Sequence, residues 1–293
     1  MTSASRYLVG LIGSEIGASL SPRLHETEGR QLGLDYEYRL WDLHELGVPP
    51  EDVGVLLHRA RDQGYAALNI TYPCKQLVLQ HLDELDEDAR RLGAVNLVVL
   101  RQGRFVGYNT DWVGFRDGIT DGLPGALLER VVQFGGGGAG SATAYALLSL
   151  GVAELTLTDL VPERMAELAD RLRAAFPDQV VTVTPTDRVS GTLSAADGVV
   201  NATPIGMAHH PGVPFQVAET RADAWIADVV YRPIVTALLA AATASGRKTL
   251  DGGRMNVGQA VEGIRLITGH TPDAGRMRAH FLRLISAENA APA

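Results

Sequence analysis

The amino-acid sequence predicts an α/β protein made of two α/β domains. Short apolar runs alternate with amphipathic segments from residue 7 to residue 285, which is typical of strands that alternate with helices in largely parallel sheets. The stretch 131–151 has a strand, four glycines and a helix in succession and opens a second α/β unit. The 293 residues suffice for two domains of ordinary size. We expect a first domain at 1–112, completed by 253–293, and a second domain at 113–252.

In the first domain, the apolar pattern predicts three strands, a hairpin and the helices between them. The strands are expected at 7–12, 36–41 and 65–70, and the hairpin at 94–100 and 104–108. The helices are expected at 21–33, 51–63, 77–82 and 86–92. Ser21 stands directly before Pro22, which is typical of an N-cap followed by proline at the first helical position. The acidic run 83–88 is interpreted as a solvated face.

The second domain begins with a helix that starts near Asp111 and runs towards Gly122. Its strands are predicted at 131–134, 155–158, 180–184, 198–202, 225–230 and 249–251, and its helices at 139–150, 162–176 and 236–245. Two further helices, 254–268 and 272–285, have no sheet of their own to cover. We expect these C-terminal helices to return to the first domain, followed by a frayed tail at 286–293.

Residues 131–159 carry the pattern of a dinucleotide-binding βαβ unit. Four glycines, 135–138, separate an apolar strand from an alanine- and leucine-rich helix. A side chain in this turn would hold a pyrophosphate away from the backbone N–H groups at the helix N-terminus. The next strand ends in Asp159, whose carboxylate is placed to accept hydrogen bonds from the ribose hydroxyls of an adenosine. This order predicts a Rossmann-type nucleotide-binding domain.

The composition argues against several other classes of protein. The net charge is −8, and there is no basic tract that would suit nucleic acid. A single cysteine, Cys74, excludes an internal disulfide framework, and His209-His210 has no partner at the spacing of a metal site. No apolar segment approaches the ~20 residues of a membrane span or the length of a secretory signal. We expect a cytoplasmic protein, monomeric or homodimeric, that binds no metal, nucleic acid or membrane.

Lys75 and Asp111 are the candidates for proton transfer. Lys75 shares a strand-to-helix turn with Asn69 and Thr71, and this polar cluster favours a chemical role over that of an ordinary surface lysine. Asp111 stands at the start of a helix, where a plain helix cap explains it equally well. The sequence alone does not bring the two residues together.

Ser19 and Ser21 are candidates for binding an acidic substrate. They stand two positions apart in the loop after the first strand. Helix capping explains Ser21 but not Ser19, whose hydroxyl would suit a carboxylate. Tyr231 and Gln259 have no feature that distinguishes them from ordinary loop or helix residues.

Eight segments together resemble the shikimate/quinate dehydrogenase family, from about residue 10 to residue 284. They are SLSP (19–22), NITYPCK (69–75), GAVN (93–96), NTD (109–111), GGGGAG (135–140), NATPIGM (201–207), DVVYRP (228–233) and MNVGQA (255–260). The resemblance implies an N-terminal substrate domain and a Rossmann-type domain. It also implies an enzyme that reversibly oxidises one ring hydroxyl of shikimate or quinate with a nicotinamide cofactor.

The resemblance assigns roles to residues of this chain. Lys75 and Asp111 would be the catalytic pair at the reacting hydroxyl, and the two serines would hold the substrate carboxylate. The substrate-binding set is Ser19, Ser21, Thr71, Lys75, Asn96, Asp111, Tyr231 and Gln259. The cofactor-binding set is Gly135, Gly136, Gly137, Gly138, Ala139, Asp159, Thr203, Val229, Gly252 and Met255.

Asp159 also predicts which nicotinamide cofactor is used. The biosynthetic shikimate enzymes typically carry an Asn-Arg-Thr type sequence here, whose arginine binds the 2′-phosphate of NADP. This chain has Asp159-Leu160-Val161-Pro162 and no basic residue before Arg164. Because a carboxylate repels a 2′-phosphate and favours a free 2′-hydroxyl, NAD is predicted rather than NADP. The feature resembles the NAD-using quinate/shikimate branch of the family.

Other departures from the family leave the substrate open. The intact SLSP loop is common in shikimate-specific members, whereas Trp112 and Asn256 replace a glycine and an apolar residue of many relatives. The alternatives are a NADP-dependent biosynthetic shikimate dehydrogenase and an enzyme for aminoshikimate or aminoquinate. From other classes, a non-catalytic NAD-binding sensor and a SAM-dependent methyltransferase remain, although the motifs outside the nucleotide half argue against the methyltransferase.

Overall fold

The computed structural model describes residues 6–290 and contains two compact α/β units. The first unit consists of residues 6–110 together with 259–290, and the second of Asp111–Gly258. Each unit has its own six-stranded sheet, which confirms the predicted fold class, an α/β protein with two α/β domains. Residues 291–293 of the predicted tail lie outside the described residues.

The first unit has a mixed sheet in the strand order β2-β1-β3-β5-β6-β4. Its strands are β1 (Arg6–Gly13), β2 (Asp35–Asp42), β3 (Ala67–Ile70), β4 (Glu84–Leu85), β5 (Leu97–Arg101) and β6 (Arg104–Tyr108). Its helices up to residue 110 are α1 (Ser21–Gln31), α2 (Leu43–Leu46), α3 (Val53–Asp62), α4 (Cys74–Leu77) and α5 (Glu87–Leu92). Strands β1, β2 and β3 are parallel, whereas β5 runs antiparallel to both β3 and β6.

Local sequence explains the hairpin of this unit. Gln102 and Gly103 have φ of 52° and 79°, which is the left-handed pair of a two-residue turn between antiparallel strands. The acidic run 83–88 was predicted to be a solvated face, but it also takes part in the sheet. The Asp83 carboxylate accepts the N–H of Phe105 at 2.7 Å, and β4 pairs with β6 beside it. The pairing gives the run a structural role at the sheet edge.

The second unit has an entirely parallel sheet in the order β12-β11-β10-β7-β8-β9. Its strands are β7 (Arg130–Phe134), β8 (Glu154–Thr158), β9 (Val180–Val183), β10 (Gly198–Asn201), β11 (Trp225–Asp228) and β12 (Thr249–Leu250). Its helices are α6 (Asp111–Gly122), α7 (Gly138–Ser149), α8 (Pro162–Ala175), α9 (Ser190–Leu193) and α10 (Ala237–Ala244). Counted from β7, this is the 3-2-1-4-5-6 order of dinucleotide-binding sheets, whose direction reverses between β7 and β10.

The last two helices are α11 (Gly252–Thr268) and α12 (Ala274–Ala290). Helix α12 packs on α1 of the first unit, as predicted. The buried Glu28 carboxylate of α1 accepts two hydrogen bonds from the Arg276 guanidinium, at 3.0 and 2.6 Å, and the N–H of Asp273. The helix extends past the predicted end at residue 285, and Glu288 pairs with Arg23 of α1 at 3.0 Å.

Candidate active site

The carboxyl ends of β1, β3 and β6 and the amino end of β5 lie at one edge of the first sheet. This follows from the pairing, because β1 and β3 are parallel and β5 is antiparallel to its neighbours. The substrate-binding residues predicted in residues 6–110 all flank these strand ends. They are Ser19 and Ser21 after β1, Thr71 and Lys75 after β3, and Asn96 before β5.

The helix-capping role predicted for Ser21 differs from what the structure shows. Helix α1 begins at Ser21, and Leu20 precedes it without a side-chain capping bond, so the prediction of Ser21 as N-cap is wrong. The hydroxyl of Ser19 instead accepts the N–H of Ser21 at 3.2 Å. The hydroxyl of Ser21 acts as a donor towards the phenol of Tyr38 on β2 and opposes the larger rise in the pKa of that phenol caused by burial. Ser19 therefore helps to shape the start of α1, and Ser21 joins a buried polar network.

Tyr38 links this serine to the strand end that carries Asn69. Its hydroxyl donates to Asn69 Oδ1 at 3.0 Å, and the Asn69 amide donates to the carbonyl oxygen of Asn96 at 3.4 Å. The Asn96 side chain in turn accepts the N–H of Thr110 at 2.7 Å. Sequence reasoning missed Tyr38. The signal was the period-2 repeat Tyr36, Tyr38 between the charged residues of 35–39, which places two hydroxyls on the buried face.

Asp42 fixes the loop between β1 and α1 and was also missed. Its carboxylate accepts the N–H of Ile16 at 2.8 Å and the N–H of His44 at 3.0 Å. Burial acts to raise the pKa of Asp42, but these backbone hydrogen bonds outweigh it and hold the pKa below its usual value. The charged carboxylate therefore presets the loop that contains Ser19.

The predicted catalytic residues lie one in each unit. Lys75 is half-buried in the short helix α4, and its carbonyl oxygen accepts the N–H of Val95 at 2.8 Å. Asp111 is buried and is the first residue of α6. Gln259 lies on α11 within the first unit, and Tyr231 follows β11 in the second.

In the second unit, packing within the protein accounts for the first two glycines. Gly135 has φ +95°, and a Cβ there would stand 2.6 Å from the carbonyl oxygen of Ala202. A Cβ at Gly136 would collide with the Met165 side chain, whereas one at Gly137 would meet no atom beyond its chain neighbours within 4 Å. Gly135 and Gly136 therefore have a packing reason to be glycine in addition to the predicted one. Only Gly137 of these three faces open space.

The N-terminus of α7 presents backbone N–H groups beside that open glycine. Gly137 precedes the helix, and the first intrahelical bond runs from the Ser141 N–H to the Gly137 carbonyl oxygen at 2.8 Å. The N–H groups of residues 138–140 come before that bond and so have no helical partner. Gly138 and Ala139 supply two of them, and such a helix end attracts an anion.

Gln133 fixes this turn by hydrogen bonds, a role that the sequence analysis did not predict. It is fully buried on β7 and donates from Nε2 to the carbonyl oxygens of Gly135 (2.9 Å) and Gly140 (2.7 Å), while its Oε1 accepts the Thr143 hydroxyl (2.8 Å). A polar residue inside an apolar strand was the available signal. The turn is thus fixed before any ligand binds.

Asp159 stands directly after β8 and contacts the same turn. Its two oxygens accept the N–H of Gly136 at 2.9 Å and the N–H of Val161 at 3.1 Å. Each oxygen keeps a further lone pair for a ribose hydroxyl. Leu160 beside it is 78% exposed, and Arg164 lies exposed in the first turn of α8.

The remaining predicted cofactor residues surround the ends of β10 and β11. Thr203 follows β10, and Val229 follows β11 and donates its N–H to the Asn201 carbonyl oxygen at 2.9 Å. Gly252 begins α11, and a Cβ there would collide with the Val229 carbonyl oxygen. Met255 is buried one turn further along α11.

Residues 6–290 include no helix that is both long and apolar enough to cross a membrane. Across the same residues, His, Cys, Asp and Glu side chains nowhere gather in a group of three or more that could hold a metal ion.

Comparison with known proteins identifies relatives along nearly the whole chain. Residues 11–98 match the family model described as the shikimate dehydrogenase substrate binding domain. The chain is 54% identical over 285 residues to a shikimate dehydrogenase (NADP(+)) of Pseudarthrobacter chlorophenolicus, which covers 97% of each protein. It is 47% identical over 278 residues to a quinate/shikimate dehydrogenase (NAD(+)) of Corynebacterium efficiens, covering 94% of this chain and 98% of that one.

A solved structure extends the likeness to three dimensions. Quinate dehydrogenase from Corynebacterium glutamicum in complex with NAD superposes with a TM-score of 0.91 at 46% identity, covering 95% of this chain and 99% of the other. The strand order of the second unit and the relatives' full-length identity agree with the resemblance of the eight segments. The chain therefore belongs to the shikimate/quinate dehydrogenase family of oxidoreductases.

Proposed function

We propose that this protein is a NAD-dependent dehydrogenase that reversibly oxidises a ring hydroxyl of shikimate, quinate or both. The observation that supports this most strongly is the polar edge of the first sheet. It brings two serine hydroxyls, a threonine, two asparagines and one lysine to neighbouring strand ends. A ring that carries several hydroxyls and one carboxylate needs this mixture of neutral donors, acceptors and a single cation.

Lys75 is the proposed acid/base. In the oxidation direction its amine accepts the hydroxyl proton while the C–H bond of the same carbon breaks, and Asp111 orients that hydroxyl and holds the resulting ammonium. When bound, a nicotinamide accepts the hydride that leaves this carbon. In the reverse direction Lys75 returns the proton to the carbonyl oxygen.

The other residues hold the ring in one orientation. The hydroxyl of Ser19 already accepts an N–H and keeps its own proton to donate to a carboxylate oxygen. Ser21 stands beside it in a position set by Tyr38. Thr71, Asn96, Tyr231 and Gln259 contact the ring hydroxyls, so that the reacting carbon is fixed relative to Lys75.

The second unit fits a dinucleotide in its own residues. The N–H groups at the start of α7 and the open face of Gly137 suit a pyrophosphate, and Asp159 suits the adenosine ribose. Since that carboxylate would lie against a 2′-phosphate, NAD is the proposed cofactor.

A second candidate is a NADP-dependent shikimate dehydrogenase. The relatives at 54% identity are named as NADP enzymes, and Arg164 in the first turn of α8 is a cation near the ribose end. The two candidates share the substrate site and differ only in which cofactor, NAD or NADP, the residues around Asp159 accept.

The proposal is tested by following nicotinamide absorbance with shikimate and with quinate, each offered with NAD and with NADP. We expect turnover of at least one substrate with NAD. Turnover with NADP alone would favour the second candidate. If the protein binds NADH but oxidises neither substrate, an amino-substituted ring or a non-catalytic sensor replaces the proposal.

A further inference from the structure

Asp228 is a buried carboxylate that the proposed mechanism does not use. It is the last residue of β11 and is 1% exposed. Its Oδ1 accepts the Asn201 amide and the N–H of Val230, both at 3.0 Å, and its Oδ2 accepts the Thr236 hydroxyl at 2.7 Å. Burial raises the pKa of Asp228 from 3.8 to about 6, although these three donors act against the shift. All three contacts are donors, so the group is matched to them as a carboxylate.

The Asn201 branch of this cluster organises the loop after β10. Asn201 Oδ1 accepts both the N–H (3.0 Å) and the hydroxyl (2.6 Å) of Thr203, and its Nδ2 also donates to the Ile205 carbonyl oxygen (2.9 Å). The Thr203 hydroxyl then accepts the N–H of Ile205 at 3.2 Å. Four hydrogen bonds therefore fix the backbone at Thr203, and Asp228 fixes the rotamer of the asparagine that makes three of them.

The other two contacts of Asp228 fix the segment after β11. The Val230 N–H holds this segment where it leaves the strand, and Thr236 holds it where α10 begins. The Thr236 hydroxyl also accepts the N–H of Leu239 and caps α10, at 3.2 Å. Val229 therefore stands directly before an anchored residue, donates its own N–H to the Asn201 carbonyl oxygen at 2.9 Å, and its carbonyl oxygen packs against Gly252 with no room for a Cβ.

These segments lie on the nicotinamide side of the sheet. In this strand order a dinucleotide crosses the point where the order reverses, between β7 and β10. Asp159 after β8 takes the adenosine ribose, so the strands beyond the reversal, β10 and β11, face the other nucleotide.

We propose that Asp228 is a positioning residue that holds Thr203 and Val229 in place as one seat for the nicotinamide half of the cofactor. The inference rests on the proposed use of a nicotinamide dinucleotide. Asp228 touches neither cofactor nor substrate and acts through Asn201, Val230 and Thr236. Loss of the carboxylate loosens two loops at once, so the cofactor is bound more weakly and its reactive ring is less well aligned.

Asp228→Asn is the direct test, because it keeps the shape and places an amide N–H₂ against the Thr236 hydroxyl. We expect the Kd for NADH, measured by fluorescence titration, to rise about tenfold and kcat at saturating cofactor to fall by a similar factor. The KM for the ring substrate should stay within about twofold of wild type. Thr236→Val removes one donor and keeps the bonds of Asp228 to Asn201 and Val230, so it should raise the Kd for NADH about threefold. It replaces Asp228→Asn as the test if that variant does not fold.

Asp197→Asn is the matched control. Asp197 is a buried carboxylate directly before β10, at the opposite end of the same sheet, and it accepts the N–H of Arg130 at 2.9 Å and a hydrogen bond from Arg221 at 2.7 Å. We expect this variant to lower the thermal midpoint and to leave the NADH Kd unchanged.

Asn201→Ala completes a double-mutant cycle with Asp228→Asn. If Asn201 and Asp228 act as one unit, the Kd of the double variant for NADH should be no higher than that of the single variant with the higher Kd. An NADH Kd within twofold of wild type in both Asp228→Asn and Thr236→Val would overturn the inference, whatever their stability. Failure of the wild-type protein to bind any nicotinamide dinucleotide would overturn the proposed function itself.

Discussion

The two units build their sites from different parts of the chain. In the second unit the proposed pyrophosphate site consists of backbone atoms from consecutive residues, 135–140, and the Gln133 side chain bonds two of their carbonyl oxygens. In the first unit the proposed substrate site consists of side chains from four separate segments, joined by the bonds of Tyr38, Asn69 and Asn96. A site made of backbone atoms depends on the absence of a glycine side chain. A site made of side chains depends on hydrogen bonds between their hydroxyl and amide groups.

The largest expected effect separates chemistry from binding. Lys75→Ala should lower kcat by about 10²–10⁴ and change the KM values far less, because it removes the proposed proton acceptor. Lys248→Ala is the control, since this lysine is exposed in the second unit and belongs to no predicted site. Steady-state kinetics within a few-fold of wild type for Lys75→Ala would remove Lys75 from the role of acid/base.

The pH dependence of stability should have opposite signs in the two units. Burial lowers the pKa of His25 from 6.5 to about 3, so below pH 6.5 the unfolded chain binds a proton that the folded first unit does not. Its contribution to stability is lost as pH falls, by about 1.4 kcal/mol per pH unit. The raised pKa of Asp228 acts in reverse: the folded second unit holds the extra proton, and that contribution is lost as pH rises from 3.8 through about 6.

Segment-resolved amide hydrogen exchange at pH 6.5 and pH 4.5 measures this difference. Strand β1 and helix α1 should lose protection at the lower pH relative to β10 and β11. His25→Gln removes the titrating imidazole and should flatten the response of α1. An equal loss of protection in the variant and the wild type would contradict the assignment to His25.

Alanine substitutions at two neighbouring glycines separate a packing effect on stability from a steric effect on cofactor binding. Gly136→Ala should lower the free energy of unfolding by about 1–3 kcal/mol, because its Cβ collides with Met165. Gly137→Ala should leave the thermal midpoint unchanged and raise the Kd for NADH about tenfold, because its Cβ enters the space proposed for the pyrophosphate. Wild-type affinity in Gly137→Ala would place the pyrophosphate elsewhere.

The smallest effect concerns the hydroxyl network of the first unit. Tyr38→Phe removes the phenol that bonds Ser21 and Asn69, and should raise the substrate KM about fivefold without changing the Kd for NADH. Tyr36→Phe is the matched control on the same strand face, because its hydroxyl bonds the buried His25 at 3.2 Å. If both variants raise the substrate KM equally, the network acts through general stability and does not position the substrate.

The same contrast explains how far the sequence could predict the molecule. The glycine turn, the parallel sheet and Asp159 form a contiguous pattern, and their fold was predicted from periodicity and spacing. The substrate edge was assembled only by resemblance, since no local pattern brings Ser21 to Tyr38 or Asn96 to Thr110. The capping role given to Ser21 was wrong because Ser21 is itself the first helical residue and donates its own N–H to the Ser19 hydroxyl. Gln133, Asp42 and Asp228 were missed because a buried polar group has meaning only once its partners are known.

The ratio of kcat/KM for NAD to that for NADP, with shikimate as substrate, tests the central claim most directly. The account predicts a ratio of at least about 10 in favour of NAD, because Asp159 is proposed to bind the ribose hydroxyls. It also predicts a ratio that shifts towards NADP in the double variant Asp159→Ala, Leu160→Arg. A wild-type ratio in favour of NADP, unchanged by the double variant, would contradict the assignment of Asp159 to the ribose.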